Sequence, residues 1–328
     1  MHCWGGNSSY EITGLSMADS LVSVVVLNYR RREALVQALR SVLTQSYVEK
    51  EIVVVDNASE DGSKEFIVKT FPEVRVVALK ENAGCVGRNR GVEATRGSIV
   101  VTIDNDLYFD SPFELQKVVN AFNKCPEASC IAFKVLEAGS DRLHVRDWCH
   151  PRNYADYADC EFETYFIPEG ACAFRREHFL QAGGYYERLW LGHEGWDLAL
   201  RLLDQGKHIY YRPEIRVRHL VSSESRSTWR PYYYYTRNYI WIAARQYGPG
   251  RALWFLAEKI GMMLYFAIRT KNLSAFGRGI RDAVWELPSI WKTRRALSAS
   301  AWLRLRQIGS KHPSLAVRLR RHRAQPLI

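Results

Sequence analysis

The sequence predicts an α/β fold, a mostly parallel sheet flanked by helices, followed by amphipathic C-terminal helices. Three observations carry this. Val/Ile-rich runs recur between helical stretches over residues 21–104. The runs are continuous rather than alternating, which is how strands buried on both faces read. Past residue 229 aromatic-rich segments with helical spacing take over.

The elements follow in order. "LVSVVVLN" (21–28) is a buried strand, and "RREALVQALRSVLTQ" (31–45) is a helix with an apolar stripe. "EIVVVDN" (51–57) is a second strand, followed by a helix over 61–70. "VRVVAL" (74–79) is a third strand, a helix covers 86–95, and "SIVVTID" (98–104) is a fourth strand. Asp110 suits the cap of a helix starting near Pro112. Residues 125–220 are less regular, with a helix opening near Glu194 and Gly206 closing it. "YYYYTRNYIWIAARQYG" and "RALWFLAEKIGMMLYFAIR" then read as helices.

The 328 residues, 47% hydrophobic, can bury a sizeable core. Residues 21–228 form the expected catalytic body, with halves 21–110 and 111–228, and 229–328 a helical, basic appendage. Residues 1–20 read as disordered or as a non-native start, with Met17 the alternative initiator. They lack the basic and apolar regions of a signal peptide.

The net charge of +11 points to nucleic acid until it is located. Residues 287–328 hold ten Lys or Arg and no Asp or Glu, which leaves 36 basic against 35 acidic residues elsewhere. The basicity belongs to the tail, no nucleic-acid motif accompanies it, and no nucleic-acid partner is expected. No apolar run reaches the ~18–20 residues that span a bilayer. Helices with Trp, Phe and Met on one face and Arg and Lys on the other suit a membrane interface. A helical hairpin packed on the body is the competing reading, and the acid-free tail, suited to anionic headgroups, favours the interface. Seven cysteines, an odd number without a CxxC pair, give neither a disulfide framework nor a zinc knuckle, so a reducing cytosol is the expected compartment.

The chemistry sits at the strand ends. They carry Asn28-Tyr29, then Asp56-Asn57-Ala58-Ser59, then Asn82 and Gly84, then Asp104 and Asp106 in "VTIDNDLYFDS". One such Asp is an ordinary turn or cap residue. Four successive polar strand ends mark a ligand site, because parallel sheets bind ligands at the carboxyl ends of their strands. Asp-x-Asp on a loop is a hard-oxygen set suited to Mg²⁺ or Mn²⁺ bridging a diphosphate. Asp56 can accept from a base imide or ribose hydroxyls. Arg88 and Arg90 open a helix where phosphates bind. Glycines 84, 87 and 91 do not spell GxGxxG, so a dinucleotide reading is weak.

Six stretches in order, "VVVLNYRRREALVQALRSVLTQSY", "EIVVVDNASEDGS", "ENAGCVGRNRGVEATRGSIVVTIDND", "PEGACAFRREHFLQAGGYYE", "HEGWDLALRLLDQG" and "VRHLVSS", resemble glycosyltransferase family 2. The resemblance spans residues 21–225 and implies the GT-A fold, a Rossmann-like sheet flanked by helices; rhamnosyltransferase-like members are closest in character. It implies a nucleotide-sugar donor, with Asn28, Asp56 and Asn82 at the nucleoside and Arg90 near the phosphates. Asp104 and Asp106 match the metal- and diphosphate-binding DxD motif, and His219 a late histidine that completes the site. Taken alone, His219 would be a structural histidine.

Inverting transfer needs a base for the acceptor hydroxyl. The resemblance places it in an E-D-x-D motif, which here is Glu194-Gly195-Trp196-Asp197, with the second acid missing. Glu194 is the expected base and Asp197 an orienter or acceptor ligand. The alternative is that Asp197 caps its helix and Glu194 favours the positive N-terminus. Trp190 and Trp196 are candidates to stack on a sugar, although burial is the commoner fate of tryptophan.

The expectation is therefore a metal-dependent, inverting hexosyl- or deoxyhexosyltransferase, using Mg²⁺ or Mn²⁺ and a nucleotide-diphosphate-sugar donor. Its acceptor would be a lipid-linked or growing glycan in cell-surface polysaccharide biosynthesis. It would be cytoplasmic and peripheral on the inner face of the cell membrane, against an anionic surface. A metal-dependent nucleotidyltransferase or diphosphate hydrolase would act without a glycosyl acceptor, and a catalytically degenerate glycan-binding protein would bind donor without turnover.

Overall fold

A computed structural model of the chain describes residues 20–220, 228–311 and 313. The expectations for residues 1–19 and for the arginines beyond Pro313 lie outside the described residues.

The first half follows the sequence pattern closely. Strands β1 (Val22–Asn28), β2 (Lys50–Asp56), β3 (Val74–Ala78) and β4 (Ile99–Asp104) lie parallel in the order β3-β2-β1-β4. Helices α1 (Arg32–Leu43), α2 (Ser63–Thr70) and α3 (Arg88–Ala94) connect them. All seven residues of β1 are buried, which is what a central strand covered on both faces requires. The register sets Asn28 beside Asp56 and Leu27 beside Asp104, so the polar strand ends finish in one row. The helix expected over 86–95 is preceded by a 3₁₀ turn, Gly84–Gly87, which swings the chain across the strand ends.

The second half makes the sheet mixed. After β5 (Leu107–Phe109) and α4 (Glu114–Lys124) come β6 (Ala128–Glu137), α5 (Tyr154–Tyr157), β7 (Phe162–Glu163), β8 (Ala171–Arg175), α6 (Arg176–Gln181), α7 (Glu194–Asp204) and β9 (His208–His219). β8 runs antiparallel between β4 and β6, β9 runs parallel to β6, and β5 and β7 run antiparallel to β9. Asp110 is not the cap of α4. Its carboxylate pairs with Arg216 at 2.8 Å and with Arg218, both on β9, because the β5–β9 pairing brings these arginines over it.

Helices α8 (Arg230–Gln246), α9 (Pro249–Arg269), α10 (Leu273–Trp285), α11 (Leu287–Trp291) and α12 (Ala299–Gly309) complete the described chain. α8 is packed rather than interfacial, burying Tyr232, Tyr239, Trp241, Ile242 and Ala243. Asn238 Nδ2 donates to the carbonyls of Leu189, Leu191 and Gly192, tying α8 to the loop before α7. α9 lies further out and leaves Leu253, Trp254, Leu264 and Ile268 exposed on a helical repeat of three to four residues. Val284 and Trp285 of α10 are exposed as well. Across the described residues of 249–311 every exposed charged side chain is basic, including Arg251, Arg269, Lys271, Arg278, Arg281, Lys292 and Arg295. No described helix is long and apolar enough to cross a membrane.

Candidate active site

The two carboxylates of the Asp-x-Asp are each matched by a cation. Arg88, 2% exposed, pairs with Asp104, and Arg31 Nη1 lies 2.5 Å from Asp106 Oδ2. These guanidiniums offset the desolvation of carboxylates at a strand end. Arg31 comes from a strained turn, in which Arg30 and Arg31 both take left-handed backbone, φ 59° and 58°. Such residues cost on the order of 1–3 kcal/mol each and hold only where neighbours lock them. Here Asn105 Nδ2 donates to the Arg30 carbonyl at 3.1 Å, and the Arg30 N–H donates to Ser59 Oγ at 2.9 Å.

Asn28, Asp56 and Asn82 form a network under this floor. Asn28 Nδ2 lies 3.1 Å from Asp56 Oδ1, and its Oδ1 accepts from Asn105 Nδ2 at 2.8 Å. Asn57 Nδ2 donates to Asn82 Oδ1 at 3.0 Å. The three residues thus share one cluster, with Asn28 and Asp56 buried and engaged with each other. Arg90 lies apart from it, half-exposed and paired with Glu93 and Glu187 at 2.9 Å each. The arginine of this helix that reaches the Asp-x-Asp is Arg88.

His219 ends β9, and the antiparallel pairing of Leu107 with His219 sets it against Asp106. Its Nε2 lies 3.6 Å from Asp106 Oδ2, while Nδ1 lies 2.9 Å from Asp147 Oδ2. His144 Nδ1 also lies 2.8 Å from Asp147 Oδ2, so Asp147 holds both rings. Burial opposes the charged form of His219, but its pairing with Asp106 and Asp147 outweighs this and lifts the imidazole to about 10. The Asp147 carboxyl is held well below the usual range: burial works against this, and its hydrogen bonds to His144 and His219 prevail. A carboxylate on one ring nitrogen, leaving the other aimed at a second carboxylate, is the arrangement that orients a metal-binding histidine. Asp106 with His219 Nε2, 3.6 Å away, and Asp104 two residues earlier in the chain offer donors of the kind that Mg²⁺ or Mn²⁺ takes. His144, Asp147 and His219 also offer ligand atoms within 4.8 Å of one another.

The head of α7 lies close enough to this group for Arg88 and Asp104 to act on Glu194. Glu194 is 1% exposed, and its Oε2 has no hydrogen-bond partner among the described residues. Burial raises its carboxyl, and the charge of Asp104 adds to this against the pull of Arg88. Asp197 is wholly buried and occupied elsewhere. Its carboxylate pairs with Arg245 of α8 and with Arg201 at 2.8 Å, and accepts from Gln246 Nε2 at 2.5 Å. The structure thus directs it to α8 and not to Glu194 or a cleft. Trp190 stacks on Tyr234 with centroids 4.8 Å apart, and Trp196 packs among Tyr165 and Phe255.

Position 195 has no room for a side chain. A Cβ there would collide with the Ile167 carbonyl and lie 2.6 Å from Glu169 Oε1. Glu169 instead accepts the Gly195 N–H at 2.7 Å. Sequence reasoning missed Arg31, Glu169, Asp147 and His144. Arg88 carried a signal, since it lies four residues before the buried Val92 on the inward face of α3.

A mixed α/β sheet with an Asp-x-Asp at the end of its fourth strand and an acid-led helix opposite defines a GT-A glycosyltransferase. The family model for glycosyl transferase family 2 matches residues 23–182. The chain carries a family 2 glycosyltransferase domain and is a glycosyltransferase. It is similar to the glucosyl-dolichyl phosphate glucuronosyltransferase of Haloferax volcanii, 25% identical over 251 residues, covering 70% of this chain and 75% of that one. It is 36% identical over 90 residues to the putative teichuronic acid biosynthesis glycosyltransferase TuaG of Bacillus subtilis, covering 26% of this chain and only 36% of the relative. Among solved structures it is similar to the mannosyltransferase PcManGT of Pyrobaculum calidifontis in complex with GDP-Man and Mn²⁺. That match has a TM-score of 0.54 at 18% identity and covers 89% of this chain and 85% of the other, a likeness of fold.

Proposed function

We propose that the protein is a divalent-metal-dependent, inverting glycosyltransferase. It moves a sugar from a nucleoside-diphosphate donor to a lipid-linked or growing glycan acceptor in cell-surface polysaccharide biosynthesis. The observation that carries this is Asp106 held against His219 two residues beyond Asp104 at the end of β4, with Glu194 Oε2, which has no hydrogen-bond partner among the described residues, in electrostatic reach of Asp104. The relatives' names support the donor and pathway classes.

When bound, a divalent metal held by Asp104, Asp106 and His219 supplies positive charge to the diphosphate. Arg88 and Arg31, fixed beside the same carboxylates, add preorganised charge where the leaving group develops its own. Glu194 takes the proton of the acceptor hydroxyl as that oxygen attacks C1 from the face opposite the diphosphate. Asn28, Asp56 and Asn82 shape the floor under the nucleoside. Asp197 holds α7 in place through α8.

The enzyme works in the cytoplasm, at the inner face of the cell membrane. The support is the exposed apolar row on α9 together with exposed charged residues that, among those described in 249–311, are all basic, a combination suited to anionic headgroups.

The decisive assay incubates the protein with UDP- and GDP-sugars, Mn²⁺ and octyl glycoside acceptors and measures nucleoside diphosphate release and glycoside product. Asp106→Ala is expected to abolish product, and retained transfer by that variant overturns the mechanism. Diphosphate release that does not depend on acceptor, or nucleotide binding without turnover, replaces transfer with hydrolysis or a binding role.

A further inference from the structure

The missing acid at position 195 has a structural counterpart. Glu169 lies just before β8, beside β4, and two hydrogen bonds from β4 fix the backbone of Glu169 and Gly170 there. Thr102 Oγ1 donates to the Glu169 carbonyl at 2.7 Å, and the Asp104 N–H donates to the Gly170 carbonyl at 3.3 Å. Gly170 is pressed so closely on the Asp104 carboxylate that a Cβ would collide with it. Glu169 is therefore built into the same strand edge as the Asp-x-Asp. From there its side chain reaches the first turn of α7, where Oε1 accepts the Gly195 N–H at 2.7 Å.

This contact occupies the volume in which a residue-195 side chain would begin. Glycine at 195 and glutamate at 169 thus act as one steric unit. The acid that the helix lacks is supplied from the neighbouring strand edge, beside Glu194. The two residues differ in exposure: Glu194 is 1% exposed, while Glu169 is partly exposed. We propose that Glu169 is a second catalytic carboxylate, standing in for the acid that position 195 lacks and touching, together with Glu194, the acceptor hydroxyl that attacks the sugar. This rests on the glycosyltransferase reading above.

The step balances within the groups named. The acceptor O–H bond breaks as its oxygen bonds to C1, and the proton passes to the Glu169–Glu194 pair. The bond from C1 to the diphosphate oxygen breaks, and its electron pair leaves with the nucleoside diphosphate. Glu169, the less buried residue of the pair, then returns the proton to solvent. Burial and the charge of Glu194 raise the Glu169 carboxyl, and burial raises Glu194, which suits a pair that holds and releases one proton.

Glu169→Gln tests this cleanly, because the amide oxygen can still accept the Gly195 N–H. GDP or UDP with Mn²⁺ serves as the binding probe, read as a thermal shift. Transfer is followed with UDP- and GDP-sugars and octyl glycosides across pH. The expected result is an unchanged thermal shift, kcat lower by about 10²–10⁴-fold, a displaced pH profile and partial rescue by Glu169→Asp. Wild-type kcat in Glu169→Gln overturns the inference and leaves the glycosyltransferase reading standing. Joint loss of the midpoint, the thermal shift and transfer overturns it in favour of a structural role. A wild-type chain that turns over no nucleotide sugar fells the glycosyltransferase reading and the inference with it.

Discussion

Replacing Asp197 with alanine separates scaffold from chemistry. The carboxylate is wholly buried and joins α7 to α8 through Arg245, itself 7% exposed, and through Gln246. Arg201 keeps other partners, the carbonyls of Ala182 and Gly184, but Arg245 loses its only described carboxylate. Removing one partner of a buried ion pair costs about 3–5 kcal/mol, because the remaining charge stays desolvated. With an unfolding entropy of about 2.1 cal/mol/K per residue, a chain of this length would melt roughly 4–7 °C lower. Differential scanning fluorimetry gives the midpoint, and transfer assayed well below it gives the residual activity. Asp197→Ala should therefore melt early yet retain substantial kcat in the cold. An unmoved midpoint with abolished transfer would place Asp197 in the reaction and refute its assignment as scaffold.

Three further outcomes are expected. Gly195→Ala forces a Cβ against the Ile167 carbonyl and Glu169 Oε1, an overpacking of about 1–3 kcal/mol, so its midpoint should fall by roughly 1–4 °C; an unchanged midpoint contradicts the steric account. His150, buried among Trp148, Phe162, Phe166 and Tyr211, has its imidazole pushed down to about 3 by burial. The unfolded chain then binds the extra proton, so this stability is full above about 6.5 and is lost as pH falls towards 3; His150→Phe should show a shallower acid decline in urea melts. Trp254→Glu combined with Trp285→Glu removes apolar contact and adds negative charge on the outer helices, and flotation with phosphatidylserine vesicles should drop sharply against wild type; equal flotation removes that surface from the proposal.

The first four strands were legible because strands covered on both faces leave little choice of residue. Their ends were legible because polar groups there interrupt that pattern. What pattern reading missed depends on direction and register. Arg88 and Arg90 are two residues apart, which on a helix turns them about 200° from each other, one towards Asp104 and one towards solvent. Arg31 reaches Asp106 only because two consecutive residues take left-handed backbone, which nothing in "YRRRE" announces. Glu169 and Gly195 meet through the docking of α7 on the edge before β8, a tertiary contact between residues far apart in sequence. The same limit applies to α8 and α9: both read as aromatic-rich helices, and only packing distinguishes the buried one from the one with an outward apolar row.

The anchorage of α7 on α8 also bears on where this chain can be divided. A cut at residue 228, where the composition changes, would pass between Asp197 and Arg245 and strip Asn238 from three carbonyls of the loop that leads into Glu194. The shorter piece would keep every strand described and still lose the brace behind the helix that carries Glu194. A minimal enzyme must therefore carry α8 with it, so the helical appendage begins, in mechanical terms, only after Gln246.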